Sequence, residues 1–240
     1  MRYILLCAGK GTRLQPLTLS MPKCMFSLEK DYSILQRMID GIKFYDQYAD
    51  IVVVVGFMSD MIKSKITGVK FIDNPFFNDT NSIASIWFSK DYLKEDVTII
   101  NGDVIVEFNL IKDIITSKFD DSCVLLDSSI KTCGDYNVQV QDESVVVMSK
   151  ELKNYFGEYA GITKIAKKDI KLFKNEINIM VNNGNYNQWY ENALVQLIFS
   201  NNFCLKYKDI SEYKWKECDT IEDLLASKEI HKNDNVKLRY

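Results

Sequence analysis

Arg2-Tyr3-Ile4-Leu5-Leu6-Cys7-Ala8-Gly9-Lys10-Gly11-Thr12-Arg13-Leu14, with Pro22-Lys23 after it, sets an apolar strand, a glycine turn and three cations in that order. Arg2 to Cys7 has the length and apolar content of a buried strand. Gly9 and Gly11 permit positive φ and let backbone N–H groups close on phosphate oxygens. Lys10, Arg13 and Lys23 then offset anionic charge, so the segment suits the grip of a nucleoside triphosphate. It fits neither common nucleotide fingerprint. Leu14 stands where a dinucleotide-binding loop places its third glycine, and no Gly-Lys-Ser/Thr ends the loop as a Walker sequence requires.

Outward from this stretch, Ile34, Leu35, Met38, Ile39, Ile42 and Tyr45 recur at spacings of three and four, which predicts a helix over Ser33 to Tyr45. Strands are expected at Ile51 to Val55, Val69 to Ile72 and Val97 to Asn101, with helices near Met58 to Lys65 and Asn81 to Ser89 between them. Such alternation implies an α/β fold with a mostly parallel sheet covered on both faces, and ligands at the strand C-terminal ends. After Ser122 the short strands Val124 to Asp127, Val138 to Gln141, Val145 to Met148 and Tyr159 to Ile165 read as a small antiparallel addition. Helices follow at Lys167 to Val181, Tyr190 to Ser200 and Ile221 to Glu229, the last capped by either Asp219 or Thr220. Lys232 to Tyr240 is polar and is expected to be a solvated arm. A single domain over residues 1–240 is the simplest count.

Of the 240 residues, 47% are hydrophobic and 26% charged, enough for a substantial core. The net charge of -3 argues against general nucleic-acid binding. No apolar stretch approaches the roughly 20 residues that span a bilayer, and no secretory signal opens the chain, so no membrane partner and a cytoplasmic location are expected. Cys7, Cys24, Cys123, Cys133, Cys204 and Cys218 form no C-x-x-C pair, which favours reduced thiols in or near the core. The lone histidine, His231, reads as a surface residue.

The strand Val97 to Asn101 runs into Gly102-Asp103, which delivers a carboxylate from a strand end, while Gly102 admits a ligand close to the backbone. A hard divalent cation such as Mg²⁺ suits it, because Mg²⁺ takes one or two protein carboxylates beside substrate phosphates.

Ala8 to Leu14 together with Pro22-Lys23 resembles the signature of the sugar-nucleotide-type nucleotidyltransferases. Asn74 to Ser85, Glu158-Tyr159-Ala160-Gly161-Ile162, Trp189-Tyr190-Glu191-Asn192 and Glu217-Cys218-Asp219-Thr220 resemble, in the same order, the bacterial choline-phosphate cytidylyltransferases and their phosphonate-activating relatives. The resemblance implies a Rossmann-like nucleotidyltransferase fold and transfer of CMP from CTP to a small phosphorylated or phosphonate acceptor, with pyrophosphate leaving. It implies Arg13, Lys23, Asp103 and Asp219 as catalytic residues and Asp103, Asp219 and Glu217 as the Mg²⁺ site. Ala8, Gly9, Lys10, Gly11, Thr12, Arg13 and Gly102 would hold the nucleotide; Asn81 and Ser82 either contact the base or cap the helix that starts there. Lys23 would hold the acceptor phosphate or the α-phosphate, and Arg13 the departing phosphates. Two anions must meet, and like unit charges at ~4 Å repel by roughly 4 kcal/mol at an effective dielectric of 20, so charge cancellation and positioning dominate.

On the acceptor side the resemblance singles out Lys23, Asp135, Glu158, Trp189, Tyr190 and Glu191. Trp189 and Tyr190 are either two walls of a cation box, with Glu191 as counter-charge, or packing at a helix start. In Thr132-Cys133-Gly134-Asp135-Tyr136, Gly134 and Asp135 stand where the choline enzymes would place a box tryptophan. The extra acid suits a primary ammonium, as in L-glutamine phosphate or 2-aminoethylphosphonate, better than phosphocholine. Surface-glycan decoration, as in capsule synthesis, is the implied setting, and a homodimer is left open. The alternatives are a uridylyl- or thymidylyltransferase for hexose 1-phosphates and a nucleotide-sensing domain. A sensor could dispense with the acceptor-side lysine and the second carboxylate.

Overall fold

The computed structural model describes residues 1–131, 134–201 and 203–234. The opening apolar run forms β1 (Arg2–Cys7), and a loop of 3-10 turns leads to the hairpin β2 (Ser27–Glu29) and β3 (Tyr32–Ser33). Next come α1 (Ile34–Tyr45), β4 (Asp50–Val55), α2 (Ser59–Lys65), β5 (Lys70–Asp73), α3 (Ser82–Phe88) and β6 (Val97–Asn101). β7 (Val104–Val106), the single turn α4 (Phe108–Leu110) and a π-helical turn at Ile111–Ile115 precede β8 (Cys123–Asp127), β9 (Asn137–Gln141), β10 (Ser144–Ser149) and β11 (Gly157–Ile165). Then follow α5 (Ile170–Asn182), α6 (Glu191–Asn201), β12 (Lys206–Asp209), β13 (Trp215–Glu217) and α7 (Ile221–Lys232).

Nine strands make one sheet in the order β5-β4-β1-β6-β11-β8-β12-β10-β9. β5, β4, β1 and β6 run parallel, and both faces of β1 and β4 are covered, which is why these two read as unbroken apolar runs. β11 enters antiparallel between β6 and β8, and β9 and β10 extend that part; β8 and β12 pair in parallel. Because successive side chains alternate faces, Ile4, Val52 and Val54 join one core with Ile83, Phe173 and Leu194. Tyr3, Leu5, Val53 and Val55 join a second with Leu35, Ile39 and Ile111.

In α1, Ser33 caps the helix by accepting the Gln36 N–H at 3.1 Å, and Leu35, Met38, Ile39 and Ile42 bury its apolar stripe. Each such burial contributes roughly 1.5–3 kcal/mol, so packing outweighs the cap's contribution of about 1 kcal/mol. Thr220, not Asp219, caps α7: its hydroxyl accepts the Asp223 N–H at 3.1 Å while the Asp223 carboxylate takes the Thr220 N–H at 2.8 Å. α7 also runs beyond Glu229 to Lys232, and Asp234 is buried against Arg37 and the Phe108 N–H, so this part of the polar stretch is not a solvated arm. Its last six positions, 235–240, lie outside the described residues, as do Thr132 and Cys133.

β2, β3, β7, β12 and β13 are two to four residues long, too short for a period to register in the sequence. One of these pairings governs the site. β7 and β13 are antiparallel, with Val106 opposite Trp215 and Val104 opposite Glu217. Gly102 joins β6 to β7 where the backbone crosses β1: its N–H donates to the Leu6 carbonyl at 2.9 Å, and a Cβ would meet the Cys7 Sγ at 2.4 Å and the Leu6 oxygen at 2.7 Å. Gly102→Ala is expected to lower stability by about 1–3 kcal/mol, read as a lower urea midpoint; an unchanged midpoint would mean that this crossing yields freely.

Candidate active site

β1 ends at the carboxyl edge of the sheet, where parallel α/β sheets leave room for ligands. There the chain turns through Gly11 at φ 62°, and the stem of Lys23 packs so close that a Cβ on Gly11 would meet its Cγ at 2.6 Å. Gly9, which would permit the same left-handed conformation, does not adopt it, and a Cβ there would meet nothing within 4 Å. The backbone N–H groups of Lys10, Gly11, Thr12 and Arg13 donate to no acceptor among the described residues. Such a run of unused amides beside two cations favours an anion.

Three acids from two distant segments meet these cations. The Cys218 N–H donates to the Asp103 carbonyl at 3.0 Å, extending the β7–β13 pairing and setting Glu217, Asp219 and Asp103 side by side. Lys23 Nζ lies 3.2 Å from Asp103 Oδ2 and also donates to Asp219 Oδ1. Arg13 spans Asp219 at 2.6 Å and Asp135 at 3.3 Å. Burial works against the charge of Lys23, but Asp103 and Asp219 hold its pKa above the ordinary value; Asp219 and Asp135 do the same for Arg13. Burial and the Asp219 charge push Asp103 up against the pull of Lys23. Glu217 is raised further by burial and by the charges of Asp103 and Asp219, and its Oε1 accepts from Asn101 Nδ2 at 3.5 Å.

The cluster borders a cleft with two lobes that share Leu6, Gly9, Phe77, Thr80, Asn81 and Asp103. The larger, about 460 Å³, is lined by the turn Gly9 to Arg13, by Lys23 and by Gly102. The smaller, about 200 Å³, is lined by Ala8, Asn74, Ser82, Ser85, Asn101, Trp189, Glu191 and Glu217. Asn81 borders both, and its Oδ1 also caps α3 through the Ser82 N–H at 2.8 Å. The Ser82 hydroxyl accepts the Tyr190 N–H at 2.9 Å, which ties α3 to the start of α6.

Tyr190 is not a wall of this cleft. Its ring is fully buried, and its hydroxyl bonds Tyr159 at 2.6 Å and Thr163 at 3.0 Å, so it supports the cleft from beneath. Trp189, by contrast, is 39% exposed. Glu158 holds the Asp135 N–H at 2.7 Å and so acts on Asp135. Lys150, which the sequence reading passed over, donates to both Asp135 oxygens at 3.0 Å and stands 4.9 Å from the Trp189 ring centroid. It sits just past a strand end, a place with no periodic or motif signal. Asn101, the last residue of β6, lines the smaller lobe and carries no motif signal in the sequence either.

Cys7 and Cys24 line the larger lobe and are buried, as are Cys123 and Cys218, whereas Cys204 is exposed. His231 is not a surface residue: it packs on the Tyr32 ring at 5.4 Å and faces Glu29 at 3.6 Å.

A profile of the nucleotidyl transferase family matches residues 2–124, just over half of the chain. The chain belongs to this family. Among its relatives, the bifunctional protein GlmU of Methanocaldococcus jannaschii is 28% identical over 181 residues, 72% of this chain and 42% of that protein. The CTP:phosphoglutamine cytidylyltransferase of Campylobacter jejuni is 28% identical over 138 residues, 54% of this chain and 53% of its own length. The chain thus spans about half the length, or less, of these relatives. A solved structure of the CTP:phosphocholine cytidylyltransferase LicC from Streptococcus pneumoniae superposes with a TM-score of 0.79 at 20% identity, covering 96% of this chain and 98% of that one. The inositol-1-phosphate CTP transferase of T. maritima gives 0.72 at 17% identity, covering 98% of each. At such identities the likeness is one of fold. No helix among the described residues is long and apolar enough to cross a membrane.

Two measurements check the support beneath this cleft. Tyr190→Phe is expected to cost about 1 kcal/mol of stability and to leave nucleotide affinity unchanged; weakened nucleotide binding would return Tyr190 to the cleft. Burial raises the Glu191 carboxyl from its ordinary 4.5 to about 7, against the pull of the Lys150 charge. Between those values the unfolded chain has lost a proton that the folded chain keeps, so stability falls as pH rises through this window, by about 3 kcal/mol, and levels off above it. Urea unfolding of Glu191→Gln at several pH values should lack that decline, and an unaltered slope would assign it to another group.

Proposed function

We propose that this chain is a Mg²⁺-dependent cytidylyltransferase that moves CMP from CTP onto a small, amine-bearing phosphorylated or phosphonate acceptor for surface glycan decoration. The observation that carries this reading is the meeting of Arg13, Lys23, Asp103, Glu217 and Asp219 on one edge of a cleft whose floor is a glycine turn with unused amides. The choice of CTP is supported by the relative whose name specifies it, the CTP:phosphoglutamine cytidylyltransferase. We read residues 1–240 as one nucleotidyltransferase domain, because the same sheet runs from β1 to β12.

The donor set fits a hard divalent cation. Asp103 and Asp219 already share one positive centre, the Lys23 ammonium, and oxygens of Asp135, Glu217 and Asp219 lie within 4.8 Å of one another. Asp103, Asp219 and Glu217 would hold Mg²⁺, which when bound draws phosphate charge and orients the triphosphate. The amides of Lys10 to Arg13, with Arg13 itself, bind the departing phosphates. Lys23 holds the α-phosphate against the acceptor phosphate. An acceptor oxygen then forms the new bond to the α-phosphorus as the bond to pyrophosphate breaks. No general base is required, since a phosphate with a second pKa near 6 is largely ionised at pH 7.

Pyrophosphate release is expected from CTP only when an acceptor is present, and chelation of the metal should stop it. Asp103→Asn should lower kcat by at least about 10²-fold with little change in Tm. Release from UTP with hexose 1-phosphates, and none from CTP with amine-bearing acceptors, would replace this reading with the hexose one.

A further inference from the structure

Charged side chains alternate in sign along one run of contacts that leads from outside the cleft to its centre: Lys150, Asp135, Arg13, Asp219, Lys23 and Asp103. The outer two, Lys150 and Asp135, line neither lobe. They are nevertheless held in place. Glu158 fixes the Asp135 backbone by accepting its N–H at 2.7 Å, and Lys150 donates to both Asp135 oxygens at 3.0 Å. The Lys150 ammonium rests in turn on the Trp189 ring, 4.9 Å from its centroid. Asp135 meets Arg13 through a single Nη1 contact at 3.3 Å, longer than the 2.6 Å between Arg13 and Asp219. Burial works against the Asp135 charge, and Lys150, ahead of Arg13, holds its carboxyl below the ordinary value.

We propose that Lys150 sets the strength of the nucleotide grip without touching the nucleotide: by drawing the Asp135 charge to itself, it keeps Asp135 from competing with the departing phosphates for Arg13. The inference rests on the reading of Arg13 as a triphosphate ligand given above. A carboxylate and a phosphate are rivals for a guanidinium, because both are anions that accept the same N–H groups. Arg13 faces two such carboxylates, yet each has a second cation of its own: Lys23 for Asp219 and Lys150 for Asp135. The two acids therefore orient the guanidinium without cancelling its charge. With Lys150 gone, the full charge of Asp135 falls on Arg13, and a triphosphate has to displace a stronger rival. Lys150 is thus a positioning residue that acts through Asp135. The Arg13 and Asp135 side chains are 56% and 40% exposed, so solvent screens the contact and the effect is a modest one.

A double-variant cycle tests this. CTP and CMP are titrated calorimetrically, with Mg²⁺ and no acceptor, into the full-length wild type, Lys150→Met, Asp135→Asn and the double variant. Lys150→Met should weaken CTP by about threefold and leave CMP, which lacks the two phosphates assigned to Arg13, nearly unchanged. Lys150→Arg should restore CTP binding. In the Asp135→Asn background the loss should vanish, so that the double variant matches Asp135→Asn. A loss that persists there means that Lys150 acts on the nucleotide directly, and an equal loss for CTP and CMP means that it supports the fold; either overturns the inference, as does CTP binding untouched in Lys150→Met. Each of these outcomes leaves the cytidylyltransferase reading in place, because wild-type binding of CTP is measured in the same series. Failure of wild type to bind either nucleotide overturns both. Should Lys150→Met not fold, Asp135→Asn decides: freed of its rival, Arg13 should bind CTP about twofold more tightly than in wild type, and no gain overturns the assignment.

Discussion

The pairing of β7 with β13, continued by the Cys218 N–H on the Asp103 carbonyl, is the constraint on which the site depends. It fixes three carboxylates, Asp103, Glu217 and Asp219, within one poorly solvated edge, an arrangement that costs free energy through both burial and mutual repulsion. Lys23 and Arg13 offset it. Removing the cation Lys23 would leave the acids uncompensated, at a cost of up to about 3–5 kcal/mol for a fully buried pair, whereas neutralising one of the three acids relieves their mutual repulsion. The cluster therefore has to be considered as a unit.

That unit has a consequence for ligand binding. Lys23 and Arg13 balance protein acids here, yet on the proposed reading the same two cations serve phosphates. A triphosphate that claims them leaves the acids needing another cation, and oxygen donors without nitrogen or sulfur suit Mg²⁺. Nucleotide and metal would then bind cooperatively, because each corrects the charge imbalance that the other creates.

Beneath the cleft the support is apolar and hydrogen-bonded. The Tyr190, Tyr159 and Thr163 hydroxyls satisfy one another inside the core, and Ser82 holds the Tyr190 N–H, so α3 and the start of α6 are tied together. Trp189 and Glu191, on either side of Tyr190, are thereby presented to the smaller lobe by a buried, hydrogen-bonded anchor. Alternation of an inward Tyr190 with its cleft-lining neighbours follows from the helix start, where consecutive residues point in different directions.

The amino-acid sequence alone determined the parallel half of the sheet, α1 and the glycine turn, because their signals are local: short apolar runs, a helical apolar period and a glycine pair directly after a strand. It also singled out Arg13, Lys23, Asp103 and Asp219, which the structure gathers into one ion-pair cluster. Tertiary structure decided what has no local signal. Strands as short as β7 and β13 exist through pairing with a remote partner, so the approach of Glu217 to Asp103 cannot be read from either segment. The burial of Tyr190 beside an exposed Trp189, and the placement of Lys150 over that indole, depend on how α6 and the turn after β10 meet across the sheet, and neighbouring aromatic letters in a sequence do not say which one faces the core.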